Sequence, residues 1–204
     1  MVKHHREEWQ TMTYSNNIKH FIEALEGRRY TAYQDSADVW TIGVGHTKGV
    51  KGGMRLTDSK IDELLDKDLT DALNRVNRIV YRPMAQGELD ALVSQAFNLR
   101  SFEKLAFHFN LDKEVWKTKT RLYTNDIKGN PLKGLKIRRI AEILITEDRD
   151  WKEFVTWAQK RDITVKMISE KEKELFGKPQ INIKDQIAEI DKLSTPKPMI
   201  TLDT

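Results

Sequence analysis

Apolar side chains at Ile18, Phe21, Ile22 and Leu25 fall at i, i+3, i+4 and i+7, the stripe of a short amphipathic helix over residues 17–26. Asn16 or Asn17 can cap its start and Gly27 can close its end. The period then changes. Tyr30, Tyr33, Val39, Trp40, Ile42 and Val44 are strand formers, and Asp35-Ser36-Ala37-Asp38 between them reads as a hairpin turn. Beyond it the helical period returns. Thr57 or Ser59 can cap a helix carrying Ile61, Leu64, Leu65, Leu69, Leu73, Val76 and Ile79, which Arg82-Pro83 ends. Leu89, Leu92, Val93, Ala96 and Phe97 mark the next helix, and residues 102–109 and 115–123 two shorter ones. Asn130-Pro131 and Gly134 punctuate a loop; Ile137, Ile140, Ala141 and Leu144 follow with helical spacing, Arg138 and Arg139 on the other faces. One hairpin among many helices predicts an α+β fold that is mainly helical.

After residue 146 the pattern weakens. Trp151, Phe154, Val155, Trp157 and Ala158 can extend or add a helix, residues 167–176 and 187–193 read as short charged helices, and Thr195-Pro196-Lys197-Pro198 opens an extended tail. The organisation expected is an N-terminal arm (1–14), a main domain (15–146) and a C-terminal extension (147–204). The extension can serve a protein partner or pack on the chain's own lobe. Trp151 and Trp157 suit core or interface packing better than stacking on sugars.

Composition narrows the classes. The charged fraction of 32% and net charge of +4 describe a well-solvated surface. Residues 1–146 hold 24 Lys+Arg against 19 Asp+Glu, a net of +5, and residues 147–204 hold 11 against 12, a net of −1. A mildly basic main domain suits an anionic polymer, cell wall or nucleic acid, and the excess is too small to choose. A basic helix or an aromatic–basic platform is missing from the sequence, so nucleic acid is not the expected partner. No run of about eighteen apolar residues predicts a membrane-spanning helix. The polar first seventeen residues lack the apolar core of a secretory signal. Cysteine is absent, and the five histidines show no ligand spacing on one face. No metal and no cofactor is expected.

The chemistry concentrates in residues 26–47, EGRRYTAYQDSADVWTIGVGHT. Two carboxylates and a hydroxyl, Glu26, Asp35 and Thr41, can hydrolyse a glycosidic bond. Glu26 falls on the last turn of the first helix, where the partial negative charge of the helix end suits a carboxyl that must keep its proton. Each has an alternative reading: a surface glutamate at a helix end, and an Asx turn for Asp35. Gly43 and Gly45 mark places where substrate or backbone comes close, and no phosphate-loop sequence follows them.

This segment closely resembles the signature of the phage-type lysozymes, the muramidase endolysins of glycoside hydrolase family 24. In that family the Glu-Gly is followed by an Asp nine residues after the Glu and a Thr fifteen after it, here Asp35 and Thr41, and by Gly-x-Gly-His-Thr, here residues 43–47. Leu56-Thr57 with Leu64-Leu65 and Asp68-Leu69, then Ala91-Leu92-Val93 through Phe97-Asn98, and Gly134-Leu135 with Arg138-Arg139 and Glu142, resemble the family's helical lobe. The resemblance covers roughly residues 15–146. It departs at Asp38, where the family has Gly, at Val44, where it often has Tyr, and at Leu99-Arg100, where Phe-Asn-x-Gly is usual. The last change removes an easy helix stop after Asn98.

The resemblance implies a lysozyme-like fold with a small β-hairpin lobe and a helical lobe, plus the C-terminal extension. It implies Glu26 as general acid, Asp35 and Thr41 as the pair that handles water, and an inverting attack on the β-1,4 bond between N-acetylmuramic acid and N-acetylglucosamine of bacterial peptidoglycan. Thr47 and Phe97 are candidate substrate contacts. His46 has a structural part, paired with an acid of the next helix, as Gly43 and Gly45 have structural parts in the backbone. The expected setting is a monomeric endolysin, held in the host cytoplasm and acting on the periplasmic wall. Alternatives are a lysozyme carried in the virion tail or capsid, its extension bound to a phage protein, and an inactive structural relative.

Overall fold

The computed structural model describes residues 12–35, 38–125 and 129–177. The arm up to residue 11, the helix expected over 187–193 and the tail lie outside the described residues.

Helix α1 (Asn16–Glu26) buries Ile18, Phe21 and Ile22, and Gly27 closes it at φ +73°. Its cap is Ser15 rather than either asparagine: the Ser15 hydroxyl accepts the Asn17 N–H at 3.1 Å. The same hydroxyl donates to the Asp90 carboxylate, which also takes the Ser15 N–H at 3.0 Å. A cap that is itself anchored holds the helix more firmly than a free asparagine would.

Strands β1 (Arg29–Gln34) and β2 (Trp40–Gly43) form one antiparallel pair. Tyr33 faces Thr41 and Gln34 faces Trp40, while Arg29 faces Gly43 across an irregular register. Val44 lies past the strand, in the turn that brings Ile42 back to His46. Asp38 sits at φ 58°, so aspartate takes the left-handed turn position where the family has glycine.

Helix α2 (Asp58–Ile79), capped by Thr57, carries the chain from hairpin to helical lobe. It ends four residues before Pro83. Asn110 finishes it by donating to the Ile79 carbonyl at 2.9 Å and accepting the Tyr81 N–H at 3.1 Å. Helices α3 (Gln86–Asn98), α4 (Phe102–Leu111), α5 (Lys113–Leu122) and α6 (Lys133–Thr146) build the lobe around α3, whose residues 88–96 are all buried. At Gly87 the start of α3 meets the end of α6 backbone to backbone: a Cβ there would lie 2.4 Å from the Ile145 carbonyl oxygen.

The core does not stop at residue 146. Helices α7 (Trp151–Ala158) and α8 (Val165–Phe176) follow, and Trp151, Phe154, Val155, Ala158, Ile163 and Ile168 join the same apolar cluster as Phe21 and Leu144. Glu172 of α8 is buried between Arg121 and Lys136, at 2.5 and 2.6 Å, tying α8 to α5 and α6.

Candidate active site

Glu26 is the last residue of α1, so its side chain leaves the helix where the backbone turns away at Gly27. Gly45, at φ +75°, passes directly over it. A Cβ on Gly45 would sit 3.3 Å from Glu26 Cγ, Cδ and Oε2, so a larger residue would crowd the carboxyl. From the helical lobe, Arg138 of α6 donates to the Glu26 carboxylate. Arg138 is 4% exposed, and its other terminal nitrogen reaches the Ser94 hydroxyl at 3.4 Å. The Glu26 carboxylate thus joins two lobes. Beside it opens a cavity of about 410 Å³ lined by Glu26, Asn98, Lys133, Gly134, Arg138 and Gln159, among others.

Asp35 and Thr41 meet through the backbone of one hairpin residue, Val39. Asp35 Oδ1 accepts the Val39 N–H at 2.9 Å, and the Thr41 hydroxyl donates to the Val39 carbonyl at 3.1 Å. Asp35 therefore also braces the hairpin turn, accepting the N–H four residues on. Thr41 is 4% exposed, and with its proton committed to Val39 its lone pairs are free to accept from water.

Thr47 and Phe97 line a second cavity of about 240 Å³, with Gly45, His46, Asp68 and Arg75. His46 Nδ1 lies 2.7 Å from Asp68 Oδ2 of α2, and Nε2 lies 2.9 Å from the Lys48 carbonyl. Both ring nitrogens are occupied by oxygen partners. Gly43, at φ +65°, lies against Ile61 of α2. No group of three or more His, Cys, Asp or Glu that could hold a metal occurs among the described residues.

Five residues around the site lie outside the segment 26–47: Arg75, Lys133, Arg138, Arg139 and Gln159. Arg138 and Arg139 stand on the other faces of α6, off its apolar stripe, yet they are 4% and 0% exposed. Burial is possible because each finds partners. Arg139 pairs with Glu142 at 2.7 Å and donates to the Asn98 side chain, and Glu142 accepts from Ser94 at 2.6 Å. Burial pushes the Arg139 guanidinium below its ordinary pKa, and Glu142 opposes that. The Arg-Arg pair with Glu three and four residues on was the available clue. Lys133 and Gln159 had none. Arg75 is the third kind of surprise: α3 does end at Asn98 without the usual glycine. The Arg75 guanidinium donates to the carbonyls of Ala96, Leu99 and Arg100, finishing the helix from α2.

Comparisons with known proteins bear on the family and the fold. The sequence model of the phage lysozyme family matches residues 23–142. The endolysin of Salmonella phage P22 is 41% identical over 90 residues, which are 42% of this chain and 61% of that protein. The SAR-endolysin of Escherichia phage P1 is 32% identical over 137 residues, 59% of this chain and 74% of its own length. Among solved structures, the endolysin of Escherichia coli O157:H7 phage FAHEc1 superposes with a TM-score of 0.60 at 30% identity, over 68% of this chain and 95% of that one. With the matched stretch running from the helix of Glu26 to the buried Glu142, the chain belongs to the phage lysozyme family.

Proposed function

We propose that this protein is a phage muramidase that hydrolyses the β-1,4 bond between N-acetylmuramic acid and N-acetylglucosamine in peptidoglycan, for host lysis. The observation that carries the reading is the Glu26 carboxyl. It stands at a helix terminus, under a glycine whose missing side chain leaves the carboxyl uncrowded, and its position is fixed from the opposite lobe by a buried arginine. Cleaving a glycosidic bond requires a proton delivered to the leaving oxygen as positive charge builds on the ring carbon. Glu26 supplies that proton. Asp35 accepts a proton from water, and the free lone pairs of Thr41 hold that water beside it. A single displacement by water inverts the anomeric carbon, so the β-linked substrate yields an α product. Thr47 and Phe97 line the run of the glycan along the cleft. The enzyme acts on the periplasmic wall after synthesis in the host cytoplasm.

The test is turnover on purified peptidoglycan. Glu26→Gln should lower it about a hundredfold or more while leaving the fold intact. Asp35→Asn and Thr41→Ala should lower activity more than stability. NMR of the fresh products should show the α-anomer. A first-formed β-anomer would overturn the water-attack route, and wild-type turnover in Glu26→Gln would overturn the assignment of the acid.

A further inference from the structure

The proton donor sits on the last residue of an eleven-residue helix, and that helix is held at both ends by α7 and its C-cap residue, Gln159. At the start of α1, the Trp151 indole N–H donates to Asn17 Oδ1 at 3.0 Å, and its ring meets Phe21 edge-on at 5.1 Å. At the other end, Gln159 Nε2 donates to the Ala24 carbonyl at 2.8 Å. The last four carbonyls of a helix have no partner within it. In α1 the Gly27 N–H takes Glu23, and a side chain from far along the chain takes Ala24. Gln159 is itself fixed. Its N–H bonds the Val155 carbonyl at 2.9 Å, and the next residue's carbonyl accepts Lys133 Nζ at 2.7 Å. That lysine opens the helix carrying Arg138, so the turn after α7 grips both elements that hold the Glu26 carboxylate.

We propose that Trp151 and Gln159 are positioning residues for Glu26: α7 is a brace that sets where the acid's helix ends. The inference rests on the muramidase reading. An isolated helix of eleven residues is marginal, so its last turn takes its place from what packs on it. Misplacing a reacting group by a fraction of an ångström to an ångström costs up to about a hundredfold in rate. A brace that loosens without letting go belongs lower in that range.

The experiment uses the full chain with Trp151→Phe, which keeps a ring but loses the N–H, and Gln159→Met, which keeps length but loses the donor. The double variant should lose about tenfold in kcat with KM within about twofold. Its pH profile should keep its shape, since no charge has changed. Restoring a donor with Gln159→Lys should recover part of the loss. Amide exchange at Gly27, whose N–H closes the last turn, should quicken in the double variant. Wild-type kcat in the double variant overturns the proposal. So does a raised KM with kcat unchanged, which would make Gln159 a substrate contact. If the wild-type chain turns over no peptidoglycan, the muramidase reading fails instead, and the Gly27 exchange still tests the brace.

Discussion

At the scale of single residues, Arg75 shows how a lost glycine is replaced. One guanidinium serves the carbonyls of Ala96, Leu99 and Arg100, pairs with Glu103 at 2.9 Å and lies 5.5 Å over the Phe102 ring. Arg75→Met should leave those carbonyls to water or to nothing, at about 1–3 kcal/mol in denaturant titration. Arg75→Lys should restore only part, because a point donor cannot serve three acceptors arranged around a planar fork. The Arg75 hydrogen bond holds the Glu103 carboxyl below the usual carboxylate range. Its stabilisation is therefore present above about pH 4.3, the unfolded value, and is lost as pH falls through the lower folded one. Arg75→Met should remove that part of the acid limb, read from stability measured at pH 6 and pH 3. Nothing near Arg75 in the sequence announces this work, because its acceptors lie more than twenty residues away.

Among the elements, what the sequence reveals follows the physics of each helix. The first two helices show through because one face is buried and the other wet, so the 3.6 period is printed in the residue order, while the hairpin shows through its strand formers and turn aspartates, its burial not alternating. Helices α3 and α6 are buried nearly all round, and there polarity stops reporting exposure. Ser94, Gln95, Arg138, Arg139 and Glu142 are polar and inside, each answered by another. The Glu26–Gly45 half of the site is legible because it lies within twenty residues of one motif. The Arg138 and Gln159 half needs the fold to bring it there. The buried pair predicts its own test. Glu142→Gln leaves the fully buried Arg139 charge without a counter-charge and should cost about 3–5 kcal/mol by urea denaturation. Replacing both with Met should recover much of the loss, since a buried ion pair is no more stabilising than a packed apolar one.

For the whole molecule, the question is where the folding unit ends. Trp151, Phe154, Val155, Ala158, Ile163 and Ile168 belong to the common core, and Glu172 is locked to two other helices. Each large apolar side chain exposed by a cut costs about 1.5–3 kcal/mol, and a domain holds only about 5–15. A chain ending after Glu147 should therefore lose its cooperative thermal transition, which circular dichroism would show, whereas one ending after Gly177 should keep it. A native melt from the shorter chain would mean that α7 and α8 are an appendage to a self-sufficient lobe.

The glycine at position 87 turns two helices into a lever. With the start of α3 pressed on the carbonyl of Ile145, the pair is pinned at one end. Phe97, ten residues on and about 15 Å away, travels at the other. Arg138 rides the partner helix at that same far end, tied across by Arg139 and Asn98. A methyl wedged into the pin must open a 2.4 Å gap past the 3.0 Å that real contacts tolerate. A pinned pair converts that opening into rotation, so its largest displacement falls on the cleft wall and on the arginine that faces the acid. The smallest substitution, placed a helix length from the cleft, is thus geared to disturb it.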